Sequence, residues 1–141
     1  MIPGRYLIDT SALARLHRDA DALQHWGEQV IAGLVALCPV VQLEFLYSAR
    51  SVAERTRILD LLTDAYGWVS MPDRAFDRAA EVQAALTERG THRSAGVVDL
   101  LLAATAELHG LVLLHYDRDF ESIGQVTCQP MRWLAEPGSL S

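Results

Sequence analysis

The chain contains no lysine, and all twelve of its basic residues are arginine. A phospho-receiver domain, whose acidic pocket on a parallel sheet relies on a lysine, is therefore excluded. Positive charge is scarce altogether, with a net charge of −6 that on average argues against a nucleic-acid partner. Arginine's planar fork nevertheless suits bidentate phosphate contacts, although a compositional bias toward arginine explains the same count. Only two cysteines occur, Cys38 and Cys128, too few and too far apart for a metal knuckle or redox motif. They read as small core hydrophobes. No glycine-rich phosphate loop follows any candidate strand, so nucleotide binding of that kind is excluded. Long hydrophobic runs are also missing. Val97 to Ala106 and Leu111 to Leu114 fall well short of the ~20 residues of a membrane helix. Asp9 interrupts the apolar stretch Tyr6 to Ile8, which excludes a signal-peptide pattern there. The expected location is the cytoplasm, away from membranes.

What is present suits one globular domain, since half of the 141 residues are hydrophobic and about a fifth are charged. The domain is expected over 1–135, with a frayed tail over 136–141. Short apolar runs alternate with helical patterns. Tyr6-Leu7-Ile8 reads as a strand, closed by Asp9-Thr10-Ser11, whose side chains suit a helix cap. A helix is expected from about Asp21 to Gly33, a strand over Leu34 to Cys38, and a helix from Pro39 to about Arg50. A further helix over Ser51 to Ala65, a short strand over Trp68 to Met71 and a long helix from Pro72 to Arg89 follow. The polar break Gly90 to Arg93 precedes a helix over Ser94 to His109, then a strand over Leu111 to His115. A last strand is expected between Gln125 and Met131.

Strands that are apolar throughout and alternate with helices predict an α/β fold, with a central, mainly parallel sheet flanked by helices. Ligands in such folds bind outside the carboxyl ends of the strands. Asp9 follows the first strand and Asp117 follows the fourth, so these two positions can converge. Glu44 and Asp99 instead lie on apolar helices. Glu44 shares a face with Val40 and Tyr47, which points its carboxylate toward or along the core, and Asp99 stands on a helix buried nearly all round. A desolvated carboxylate costs several kcal/mol unless a cation or strong hydrogen bonds compensate it.

Each acid alone has a structural explanation. Asp9 suits a helix cap, Glu44 a buried arginine, Asp99 a helix N-terminus, and Asp117 and Asp119 a turn. The combination has none. Four acids, two after strands and two on apolar helix faces, match an oxygen-lined site for a hard divalent cation such as Mg²⁺.

The runs Tyr6-Leu7-Ile8-Asp9-Thr10-Ser11-Ala12-Leu13, Val40-Val41-Gln42-Leu43-Glu44, Val98-Asp99-Leu100-Leu101-Leu102-Ala103-Ala104 and Leu114-His115-Tyr116-Asp117-Arg118-Asp119-Phe120 resemble the PIN domain. In order and spacing they resemble the VapC-type toxins of bacterial toxin–antitoxin pairs. The resemblance implies a PIN-like sandwich and a Mg²⁺- or Mn²⁺-dependent endoribonuclease, inhibited by a small cognate antitoxin and usually homodimeric. It assigns metal binding and catalysis to Asp9, Glu44, Asp99 and one further acid. Asp117, nearer the strand end, is the choice over Asp119, which reads as the cap of a short helix from Phe120 to Ile123. The resemblance also implies that Thr10 or Ser11 adds a hydroxyl to the site, with helix capping as the plain alternative, and that Asp119 has a supporting place.

Such a site activates water for in-line attack on a phosphodiester, leaving a 5′-phosphate and a 3′-hydroxyl. His92 and Arg93, in the polar break, and Arg118, between two acids, are candidate RNA contacts, with a solvated loop and local charge balance as the plain alternatives. His17, His25, His109 and His115 show no metal-ligand spacing. A phosphatase of the haloacid-dehalogenase type needs a second Asp two residues after Asp9, where Ser11 stands. The remaining alternative is a non-catalytic PIN-like protein that uses the acidic pocket to bind a partner.

Overall fold

The computed structural model describes residues 5–140; residues 1–4 of the expected domain and residue 141 of the expected tail lie outside the described residues. The apolar runs form the strands Tyr6–Ile8 (β1), Val35–Leu37 (β2), Gly67–Trp68 (β3), Val112–His115 (β4) and Met131–Trp133 (β5). Their order across the sheet is β3-β2-β1-β4-β5, and every pairing is parallel. β1 and β2 are buried at every residue, as a strand covered on both faces must be. Seven α-helices are present among the described residues: Thr10–Arg18 (α1), Ala20–Ile31 (α2), Pro39–Leu46 (α3), Val52–Ala65 (α4), Arg74–Glu88 (α5), Val97–His109 (α6) and Asp119–Thr127 (α7). A 3-10 turn, His92–Ser94, lies between α5 and α6.

Several expected boundaries move for local reasons. The helix expected from about Asp21 to Gly33 is α2, separated from α1 where Asp19 adopts an extended conformation, ends α1 and caps α2 by accepting the Ala22 N–H. α3 stops at Leu46, short of Arg50. Ser94 belongs to the 3-10 turn, so α6 starts three residues later than expected. The largest correction concerns the last strand. Residues 125–127 are helical, and β5 begins only at Met131. The β-branched Val126 and Thr127 favour a strand, but Phe120 and Ile123, three residues apart and both fully buried, hold the segment as a helix. α7 thus runs well past Ile123.

The strand order reverses between β1 and β4, both of which follow long crossovers or begin them. That switch point is where an open parallel sheet leaves a crevice at its carboxyl edge. Leu7 pairs with Leu113 and Ile8 with Leu114, and the Asp9 N–H donates to the Leu114 carbonyl at 3.0 Å. The ladder therefore delivers Asp9 and the residues after His115 to the same edge. A helix that returns the chain between parallel strands runs opposite to them, so the first turns of α1, α3 and α6 also gather there.

Candidate active site

Asp9 is the most enclosed of the acids at 4 % exposure. Its Oδ1 accepts the Ala12 N–H at 2.9 Å, so it does cap α1, and the Ser11 hydroxyl donates to its two oxygens at 2.9 and 2.7 Å. Ser11 Oγ in turn accepts the Tyr116 N–H at 3.1 Å. One hydroxyl therefore ties the end of β4 to the Asp9 carboxylate. Desolvation raises the Asp9 carboxyl to about 6, against the lowering effect of these hydrogen bonds, and the charge of Asp99 adds to the rise.

Asp99 sits in the third position of α6, half-buried, with Oδ2 accepting the Gly96 N–H at 3.3 Å. The later start of α6 makes this an ordinary capping position rather than a deep one. The helix is also less enclosed than expected, since Val97 in its first turn is exposed. Asp99 is nevertheless raised to about 6, by burial first, and then by the charges of Asp117, Asp119 and Glu44. Glu44 departs from the sequence reading, because its side chain is exposed on the outer face of α3 beside exposed Leu43 and Tyr47. Its Oε1 accepts the Thr10 hydroxyl at 2.6 Å. Thr10 thus links the first turn of α1 to α3.

Asp117 follows β4 and is partly buried, whereas Asp119 is exposed. Asp119 does not cap the short helix as expected, since the N-cap position of α7 is Arg118, with no side-chain cap. Asp117 Oδ1 accepts the Asp119 N–H at 2.9 Å, and Asp119 is the first residue of α7. Asp119 is raised by desolvation and then by Asp117. Arg118 is exposed, 3.9 Å from Glu121. His92 and Arg93 are exposed on the 3-10 turn and make no hydrogen bond to the acids among the described residues. That turn is joined instead to α7, where the Ser94 hydroxyl donates to Ser122 at 2.7 Å.

Acids from four elements therefore share one electrostatic neighbourhood. As they stand, no three of them among the described residues are grouped to share an ion, and oxygens of Asp9, Glu44 and Asp99 accept from Ala12, Ser11, Thr10 and Gly96. The donor set itself fits a hard divalent cation. It is all oxygen, and its two most buried carboxyls are raised by desolvation first and then by neighbouring carboxylates, Asp9 by Asp99 and Asp99 by Asp117, Asp119 and Glu44, a cost that a bound cation offsets. Arg15, Tyr116 and Trp133 line a cavity beside Ser11 and Asp117, a grouping absent from the sequence reading. The signal for Arg15 was its place four residues after Ser11, on one face of a helix.

A model of the PIN domain matches residues 6–126, which takes in every one of these acids. The chain belongs to the PIN-domain family. Within that family it is 43 % identical over 136 residues to Ribonuclease VapC21 of Mycobacterium tuberculosis, covering 96 % of this chain and 97 % of the relative. Ribonuclease VapC2 of the same organism is 41 % identical over 130 residues, at 92 % coverage of both. The PIN fold is equally plain in structure. VapBC-1 from nontypeable Haemophilus influenzae superposes with a TM-score of 0.76 at 16 % identity, covering 92 % of this chain and 97 % of that one.

Proposed function

We propose that this PIN domain is a divalent-metal-dependent endoribonuclease and the toxin of a toxin–antitoxin pair, acting in the cytoplasm as a homodimer. The observation that carries the reading is the coupling of Asp99 to Glu44, Asp117 and Asp119 on one side and to Asp9 on the other. Acids far apart in sequence stand around the carboxyl edge of one parallel sheet, at its switch point, which supports the reading. The relatives' names, Ribonuclease VapC21 and Ribonuclease VapC2, support RNA as the substrate, and the likeness in fold to VapBC-5 from Mycobacterium tuberculosis, a member of the VapBC family of toxin-antitoxin systems, supports an antitoxin as the partner.

In this reading Asp9, Glu44, Asp99 and Asp117 hold Mg²⁺ or Mn²⁺, which when bound lowers the pKa of water and neutralises charge on a phosphodiester. The chain's own residues supply position and field. Ser11 holds both Asp9 oxygens by its hydroxyl, and Thr10 holds Glu44 to the first turn of α1. Asp119 keeps its backbone on Asp117 and so fixes the loop after β4. With no serine, histidine or cysteine nucleophile required, water is the attacking group. The products are then a 5′-phosphate and a 3′-hydroxyl. End-labelling of cleaved RNA tests this, and cyclic phosphate ends would defeat attack by water.

A further inference from the structure

Beside the acids, between α1 and the ends of β4 and β5, lies a cavity of about 380 Å³ lined by Ser11, Arg15, Tyr116, Asp117, Arg118 and Trp133. One wall is aromatic, with Tyr116 and Trp133 meeting edge to face at ring centroids 5.6 Å apart. Each ring carries a guanidinium. Arg15 lies 5.1 Å from the Tyr116 centroid and Arg118 lies 6.0 Å from that of Trp133. Arg15 makes no ion pair among the described residues, and its Nε is buried without an acceptor. Its one hydrogen bond, from Nη1 to the Ser11 carbonyl, is 3.5 Å long, at the limit of such a contact. A cation with nearly all of its hydrogen-bonding capacity unspent thus stands next to the acids.

A chain of net charge −6 with acids gathered at one edge repels a phosphate backbone, so RNA needs local positive charge there. Two arginines over two aromatic rings supply it, in the combination that single-stranded nucleic acid selects: a ring for the base and a cation for the phosphate. The cavity's volume lies near the low end for small-molecule sites, which suits one nucleotide and not a duplex. We infer that this cavity holds the nucleotide next to the scissile bond, with its base against Trp133 and its phosphate on Arg15 and Arg118. The inference rests on the ribonuclease reading of the acids.

Binding and cleavage separate the two readings. Fluorescence anisotropy of a labelled single-stranded RNA tetranucleotide, titrated with the metal-free chain across a range of salt, reads the cavity without cleavage. Arg15→Gln should weaken binding about tenfold and reduce the slope of log K against log salt by about 0.7, the loss of one phosphate contact. Trp133→Leu should weaken it by about five- to a hundredfold with the salt slope kept. In cleavage assays Arg15→Gln should raise KM more than it lowers kcat. Thermal melting checks that each variant folds, and should Trp133→Leu fail, Arg15→Gln decides alone. The inference is overturned if folded Arg15→Gln keeps the parent's affinity and salt slope, or if duplex RNA binds as tightly as the single strand. It is also overturned if the variant handles RNA like the parent and loses only a partner protein. A parent chain that cuts no RNA would sink the ribonuclease reading, while the effects of the two variants on binding would still decide the cavity.

Discussion

At the scale of single residues, Asp9 carries two roles that oppose each other energetically. Its carboxylate caps α1 through the Ala12 N–H, yet burial raises its pKa from 3.8 to about 6. A carboxyl with a folded pKa above its unfolded value binds its proton more tightly when folded. Its contribution is therefore fully present below about pH 4 and is lost as pH rises through about 6. For a group this enclosed the loss is on the order of 2–3 kcal/mol, from the free energy of one pKa unit. Asparagine keeps the oxygen that caps the helix and removes the charge. Asp9→Asn should therefore lose this part of the decline between pH 4 and 7 and melt several degrees above the parent at pH 7. Thermal unfolding across that range is the check, and identical curves for parent and variant would show that Asp9 carries no buried-charge cost.

At the scale of elements, Ser11 is the joint between β4 and the start of α1, accepting from Tyr116 and donating to Asp9. Ser11→Ala leaves the Tyr116 N–H without this acceptor and frees the Asp9 carboxylate to turn. It should cost about 1 kcal/mol of stability and lower metal affinity about tenfold or more. Calorimetric metal titration reads the second effect, and unchanged affinity would reduce Ser11 to a structural joint. Elements also set how much could be read from sequence. The strands after which Asp9 and Asp117 stand are continuous apolar runs, so the parallel sheet and the edge where these acids meet were legible. Glu44 was not, because apolar spacing does not say which apolar face stays uncovered, and here Leu43 and Tyr47 remain exposed with it. The end of α7 was hidden for the converse reason, since the burial of Phe120 and Ile123 outweighs the strand preference of Val126 and Thr127. Arg15 and Trp133 lie 118 positions apart and share a cavity only through the fold.

At the scale of the whole molecule, net charge and exposed apolar surface point outward to partners. The chain is acidic, and its exposed large apolar side chains include Tyr47, Val52, Trp68, Phe76 and Val97. A small basic partner would associate quickly with such a surface, and an arginine from it could bridge two carboxylates of the site. Co-expression with the neighbouring reading frame should give a complex that elutes together from a sizing column and suppresses RNA cleavage. Separate elution, with cleavage indifferent to excess neighbour, would remove the toxin reading and leave the nuclease.

The central claim is that one acidic site cuts RNA with a divalent cation, and its most direct test is cleavage by the purified chain with Mg²⁺ or Mn²⁺, with EDTA, and with Asp99→Asn. The acids act as a unit, so removing one charge should collapse the site while leaving its shape. The account predicts cleavage that EDTA abolishes and added metal restores, and a fall of orders of magnitude in Asp99→Asn with the fold intact. Cleavage that survives EDTA, or wild-type cleavage by Asp99→Asn, would contradict it.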